Sequence, residues 1–330
     1  MTEISGPPSS GGPLVVVGDV VTDIVCAPTG PWRVGSDTDA AILIRAGGSA
    51  ANTAAWAAST ISVDGPSSDV VFVGRVGTED ASWHRRALTD VGVDAQLVHD
   101  HDVATTRLVA LIDGVTGERT MLTDRGAGIR LAPGDIDETV LETASWVHLS
   151  GYLLFAPVPQ ETFRHIVGIC RKNGVPWSVD PASAGYLADL GIDAARRLLG
   201  GASIGFPNAE EALLLAGCSP DGEIEAAACA LTELWGTVVV KLGPHGAIVA
   251  RDHSIAARAE AVVVPDVVDA VGAGDAFAGG WLAAQLGAKS EADCLSMALR
   301  AASAALRVVG GRPNRRAAVL PIRVGDVGGR

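Results

Sequence analysis

The segment Asp269-Ala270-Val271-Gly272-Ala273-Gly274-Asp275-Ala276-Phe277 decides the reading of this chain. It stands between a predicted short β-strand, Val262 to Val264, and an Ala- and Leu-rich stretch of helical length, Asp275 to Leu286. A glycine turn that opens a helix leaves backbone N–H groups without intrahelical partners, and the aligned peptide dipoles add roughly half a positive charge there. Such an end attracts phosphate. Asp275 sits beside those amides. A carboxylate held ionised in that field can take a proton from a hydroxyl as the oxygen attacks phosphorus. An ordinary Asp at a helix start after a glycine turn has the same spacing, so the pattern alone leaves both readings open.

Outward from that segment, short apolar runs recur: Leu14 to Gly18, Val70 to Val73, Trp146 to Leu149, Trp177 to Asp180, Ala202 to Gly205 and Val238 to Lys241. They are continuous rather than alternating, as in strands buried on both faces. Helical stretches lie between them: Ser49 to Ser59, Glu161 to Asn173 and Glu223 to Trp235, with Gly174 and Gly287 placed as helix ends. The alternation predicts an α/β fold, a central, mostly parallel sheet with helices on both faces. Two regions break it. Residues 20–45 hold strand-like pieces at Asp23 to Cys26 and Ala40 to Ile44, and residues 105–124 hold Thr106 to Ile112 and Arg119 to Thr123, joined by a hairpin turn over 113–118. Together they predict a small accessory β-sheet over one end of the main sheet.

The chain has 330 residues, 48% of them hydrophobic, and a net charge of −13. That is enough apolar matter for one large domain. The acidic balance disfavours nucleic-acid and anionic-membrane binding. Five scattered cysteines form no CxxC pair, which suits free thiols in a cytoplasmic protein. No apolar run reaches membrane-spanning length. Residues 1–13 read as a disordered leader with no signal-peptide pattern, residues 14–320 as the folded domain, and residues 321–330 as a tail. There is no GxxxxGK[ST] loop, and none of the lysines, Lys172, Lys241 and Lys289, follows one. Gly272 to Gly279 does not read GxGxxG and lies far from the first strand, which argues against a dinucleotide fold.

At this point a resemblance emerges. Asp269 to Phe277 resembles the second signature of the ribokinase-like (PfkB) carbohydrate kinases. The first signature is matched by Gly47-Gly48-Ser49-Ala50-Ala51-Asn52. Val73 to Asp80, Gly92-Val93-Asp94, Pro207-Asn208-Ala209-Glu210-Glu211 and Val238 to Gly246 follow in family order, from Val15 to about Pro313.

The resemblance implies a ribokinase-like fold with a β lid, and ATP-dependent transfer of phosphate to a primary hydroxyl of a sugar. It makes Asp275 the base and Gly272, Ala273 and Gly274 the anion hole. Asn208 and Glu211 are expected to act through Mg²⁺ and water, with Lys241, Gly243 and Gly246 near the ATP. Asp23, Gly48 and Asn52 are expected at the sugar. Asp269 matches a position near a K⁺ site in several family members.

Several positions depart from the family pattern. Lys241 stands where Thr or Ser is common, and Ala270-Val271 replace a frequent Thr-Thr, which puts K⁺ activation in question. Val21 and the His148 to Gly151 segment weaken the case for ribose. Arg107, on an expected lid strand, and Arg125, after the other, suit an acidic sugar such as 2-keto-3-deoxygluconate. Trp32 is the main aromatic near the lid, which makes a nucleoside a lesser alternative, and a non-catalytic sensor lesser still. Exposed lid edges and family habit point to a homodimer.

Overall fold

The computed structural model describes residues 11–33, 35–61, 69–113 and 119–313. Most of the expected leader, the expected tail over 321–330 and most of the hairpin turn over 113–118 lie outside the described residues. The end of the leader is tied down: Gly12 N–H donates to Ser145 Oγ at 2.8 Å, and Pro13 O accepts from Ser145 N–H at 3.0 Å.

In chain order the strands are β1 Leu14–Val17, β2 Val21–Pro28, β3 Ala40–Gly47, β4 Val70–Gly77, β5 Asp94–Asp100, β6 Thr106–Ile112, β7 Arg119–Asp124, β8 Trp146–Ser150, β9 Trp177–Asp180, β10 Ile204–Gly205, β11 Thr237–Lys241, β12 Ala247–Arg251 and β13 Ser254–Ala259. The helices are α1 Ser49–Ile61, α2 Ala81–Thr89, α3 Glu138–Glu142, α4 Pro157–Asn173, α5 Ala184–Leu190, α6 Ile192–Leu199, α7 Ala209–Ala216, α8 Ile224–Leu231, α9 Ala273–Leu286 and α10 Glu291–Ala305.

Nine strands make one sheet in the order β13-β12-β11-β10-β9-β8-β1-β4-β5. It is parallel except for β12 and β13, which fold back antiparallel at one edge. β1 shows why the apolar runs are continuous: Leu14 and Val16 join the core under α1, α9 and α10, while Val15 and Val17 join the core under α4, α6, α7 and α8. Each such buried Val contributes roughly 1.5–3 kcal/mol. The expected strand Val262 to Val264 is not one. β13 already forms the sheet edge, and the run beyond it has no partner; Val263 is 83% exposed. The sequence reading also missed β5, β12 and β13. Glu223 to Trp235 is helical only over α8, after which turns lead to Trp235.

The second sheet has the order β3-β2-β6-β7. It joins both irregular regions through a parallel β2–β6 pair, and it is rooted in the main body by Asp80, whose carboxylate accepts from Thr22 Oγ1 at 2.9 Å and from Thr105 Oγ1. Its inner face carries Val21, Asp23, Leu108, Ala110 and Met121 toward a cleft. Its outer face leaves Ile42 and Ile44 exposed.

Candidate active site

The cleft, of about 510 Å³, opens where the parallel strands of the main sheet end and the lid begins. Carboxyl ends of parallel strands are where α/β sheets hold ligands. Here they deliver Asp19 after β1, Tyr152 after β8, Asp180 at the end of β9, Asn208 after β10 and Lys241 at the end of β11.

Two helix N-termini face this space. At α1, Asp19 already supplies the anion, accepting from Ser49 N–H at 2.6 Å and Ala50 N–H at 3.2 Å. At α9 the N-cap is Gly272, which has no side chain to do so. Its φ of +76° is the left-handed region, and an added Cβ would lie 2.4 Å from Gly311 Cα, so only glycine fits. Gly274, in the first turn, lines the cleft.

Asp275 lies between the two termini. Its Oδ1 accepts from Ser49 Oγ at 2.7 Å and its Oδ2 from Asn52 Nδ2 at 2.8 Å. Burial pushes its pKa up to about 6, against the pull of the Asn52 and Ser49 hydrogen bonds. The group is therefore mostly ionised at neutral pH, yet close enough to titration to accept a proton.

Lys241 Nζ reaches Asp180 Oδ2 at 2.5 Å, a pair almost closed to solvent. Burial alone would pull this lysine down, but Asp180 and Glu211 hold it above the usual lysine range. Its ammonium therefore stays charged, and it passes 3.4 Å from where a Gly274 Cβ would be. Asn208 and Glu211 form a reciprocal cap on α7. Asn208 Oδ1 accepts from Glu211 N–H, Glu211 Oε2 accepts from Asn208 N–H, each at 2.9 Å, and Asn208 Nδ2 donates to Glu211 Oε1 at 2.7 Å. Burial raises Glu211 to about 7. Carboxylate and amide oxygens suit a hard, hydrated cation, and because both Glu211 oxygens are already engaged, contact through water fits better than direct ligation.

On the lid side, Gly48 has φ +100° and abuts Asp19 O, and Gly47 leaves room for the Asp23 carboxylate. Burial raises Asp23 to about 7, while Arg312 draws it down. Arg312 is itself buried. It donates from Nη2 to Gly47 O at 2.7 Å and from Nε to Asn52 Oδ1 at 3.4 Å. Burial lowers it to about 10, opposed by Asp23 and Asp19. Asp269 accepts from Val271 N–H and Gly310 N–H, bracing the loop before α9.

The fold thus brings Asp275, Gly274, Asp23, Gly48, Asn52, Asn208, Glu211, Lys241 and Asp269 to one cleft. Gly272 and Ala273 head the adjacent helix without lining it. Gly243 and Gly246 lie outside it, and Gly246 is glycine because a Cβ would meet Ala259 O at 1.9 Å. Arg107 is also outside. It sits on the outer lid face beside Glu79, at 3.8 Å, because its parity is opposite to that of Leu108. Trp32 does not line the cleft; Tyr152 and Tyr186 do. Sequence reasoning missed Asp180, Ser49, Tyr152, Tyr186 and Arg312. Asp180 had a signal, a carboxylate ending a buried strand. Arg312 had none, since its partners are distant in sequence.

Comparison with solved structures places this architecture among the ribokinase-like α/β kinases. Arabidopsis thaliana ribokinase complexed with ribose and ATP superposes with a TM-score of 0.77 at 26% identity, covering 91% of this chain and 94% of that one. The fold is also that of adenosine kinase from Sinorhizobium meliloti, with a TM-score of 0.78 at 23% identity, covering 92% of this chain and 96% of that one. An ATP-dependent ribose-1-phosphate kinase of Halopiger xanaduensis is 30% identical over 273 residues, 82% of each chain. The chain belongs to the pfkB family of carbohydrate kinases, whose model matches residues 13–317. It is a phosphotransferase with an alcohol group as acceptor, acting on a sugar or nucleoside. Among the described residues no helix is long and apolar enough to cross a membrane.

Proposed function

We propose that this kinase moves the γ-phosphoryl group of ATP to a primary hydroxyl of a sugar, with Asp275 as general base. The observation that carries the proposal is the position of Asp275, in the cleft between Ser49 and Asn52 and in the first turn of α9, whose N-terminus no side chain caps. The acceptor hydroxyl gives its proton to Asp275 as its oxygen bonds to the γ-phosphorus. The bond from that phosphorus to the β–γ bridging oxygen breaks, and ADP leaves. The backbone amides at Gly272, Ala273 and Gly274, of which Ala273 N–H reaches Ala270 O at a long 3.4 Å, and the Lys241 ammonium stabilise the charge on the migrating group. Asp23, Asn52 and the backbone at Gly48 bind the sugar hydroxyls.

A Mg²⁺ ion, when bound with the nucleotide, neutralises phosphate charge. Asn208, Glu211 and Asp180 are the oxygen donors suited to hold it through water. A related E. coli protein, a putative ribokinase II at 24% identity, was solved in complex with ATP and Mg²⁺, which fits this reading. Asp269 keeps the role proposed for it beside a K⁺ ion, one that exchange of K⁺ for tetramethylammonium in the assay tests. The outer lid face, with Ile42 and Ile44 exposed, is proposed to pair with a second copy; a monomer mass by light scattering at micromolar protein rejects that.

A nucleoside acceptor is the second reading, favoured by the Tyr152 and Tyr186 rings in the cleft wall. Measuring ADP release and product mass across pentoses, ketohexoses, keto-deoxy acids and nucleosides separates the two. No ATP-dependent phosphate ester with any acceptor would refute the proposal.

A further inference from the structure

Arg125 stands out among the arginines near the lid. Arg107 sits by Glu79; Arg130 meets Asp100 and Asp102; Arg75 meets Asp100 and Asp135. Among the described residues no carboxylate pairs with Arg125, and its side chain lines the cleft. Its guanidinium lies over Tyr186, 4.4 Å from the ring centroid, and 6.0 Å from that of Tyr152. Phe155 packs on Tyr186 at 5.0 Å and Tyr152 neighbours both, so the shelf is a cluster of three rings.

The backbone beneath Arg125 is fixed as well. Its carbonyl accepts from Thr106 Oγ1 at 2.6 Å, and the next residue, Gly126, has φ +42° with Ala104 O where a Cβ would go. A guanidinium stacked on an aromatic face keeps its N–H edge free, and that edge matches the two oxygens of a carboxylate or phosphate.

The acidic residues of the cleft have other partners. Asp19 caps α1, Asp180 holds Lys241 and Glu211 holds Asn208. Arg45 also lines the cavity, but from β3, at the edge of the lid sheet opposite β7 and across from Asp23, so the cation beside Tyr186 is Arg125. A nucleobase seeking the Tyr186 face would meet Arg125 already on it.

Resting on the kinase reading above, we infer that the acceptor is an anionic sugar, carrying a carboxylate or a phosphate ester, and that Arg125 receives that group while a hydroxyl elsewhere on the molecule meets Asp275. Arg125 is then the specificity residue.

The experiment compares initial rates for ribose 1-phosphate and 2-keto-3-deoxygluconate with those for ribose, fructose and adenosine, in wild type, Arg125→Gln and Arg125→Lys. The two anionic probes distinguish phosphate from carboxylate. An anionic acceptor is expected to exceed its neutral counterparts by about 10–100-fold in kcat/KM, the scale of a charge-assisted pair. Arg125→Gln should lose most of that advantage, with a smaller loss for neutral acceptors, and Arg125→Lys should keep part of it. A thermal shift by each probe in the presence of a non-hydrolysable ATP analogue reads binding independently of turnover. The inference falls if a neutral sugar or nucleoside is preferred, if Arg125→Gln lowers all acceptors equally, or if no anionic probe gives either turnover or a shift that Arg125→Gln removes. Preference for a neutral acceptor with transfer intact overturns this inference and leaves the kinase reading standing.

Discussion

The two ends of the cleft are built by different means. The phosphate end is assembled from strand ends and helix starts of the main sheet, where sequence neighbours meet: Gly272 to Asp275, Asn208 with Glu211, and Lys241 at the close of β11. The sugar end is assembled from distant segments: Asp23 on β2, Arg45 on β3, Arg125 after β7, Tyr186 on α5 and Arg312 near the end of the described chain. Binding of a triphosphate needs only amides, a cation and a carboxylate in fixed places, which short motifs supply. Choice among acceptors depends on side chains that converge only once the chain has folded.

The comparison is most sharply broken at Lys241. Lys241→Met removes the charge beside the anion hole and leaves Asp180 buried without its partner. We expect kcat/KM to fall by about 100-fold for every acceptor, and urea unfolding to show a loss of about 3–5 kcal/mol. The double change Lys241→Met with Asp180→Asn should regain much of the stability and none of the rate. A selective loss for one acceptor would place Lys241 at the wrong end.

Arg312→Met acts on the sugar end. It removes the cation that draws the Asp23 pKa down, so Asp23 should titrate above its present value of about 7. Acceptor KM should rise by about 10-fold at pH 7 and recover partly at pH 8, while KM for ATP changes little. Equal effects on both substrates, or no pH dependence, would assign Arg312 a purely structural part.

The smallest effects concern pH in the unaltered protein. If Asp275 is the base, kcat/KM should fall as pH drops through about 6. Stability runs the other way. Asp23, Glu211 and Asp275 all have pKa values raised by burial, so they contribute most below about pH 4, and that contribution is lost progressively as pH climbs from there through the folded values of about 6 to 7. Thermal melts of the free protein should shift down by a few degrees between pH 5 and pH 8.

Sequence legibility follows the same division. The buried runs gave β1, β4, β8, β9 and β11 because both faces are covered. The two edge strands β5 and β13, and β12 next to one of them, were missed, and Val262 to Val264 was misread, because composition does not reveal whether a neighbour strand exists. Arg107 was misplaced although its alternation with Leu108 already put the two on opposite lid faces. Arg125 was noticed, but its stack on Tyr186 depends on α5, some sixty residues later. Arg312 could not be found from local pattern, since Gly47, Asn52 and Asp23 become its neighbours only through folding.

Asp275→Asn removes the base and keeps the shape of the side chain, and its effect is read in single-turnover transfer with a parallel titration of the nucleotide. General-base catalysis by Asp275 predicts a rate loss of about 10²–10⁴-fold for every acceptor with ATP affinity kept within a few-fold. Transfer at the wild-type rate with an amide at this position would contradict it.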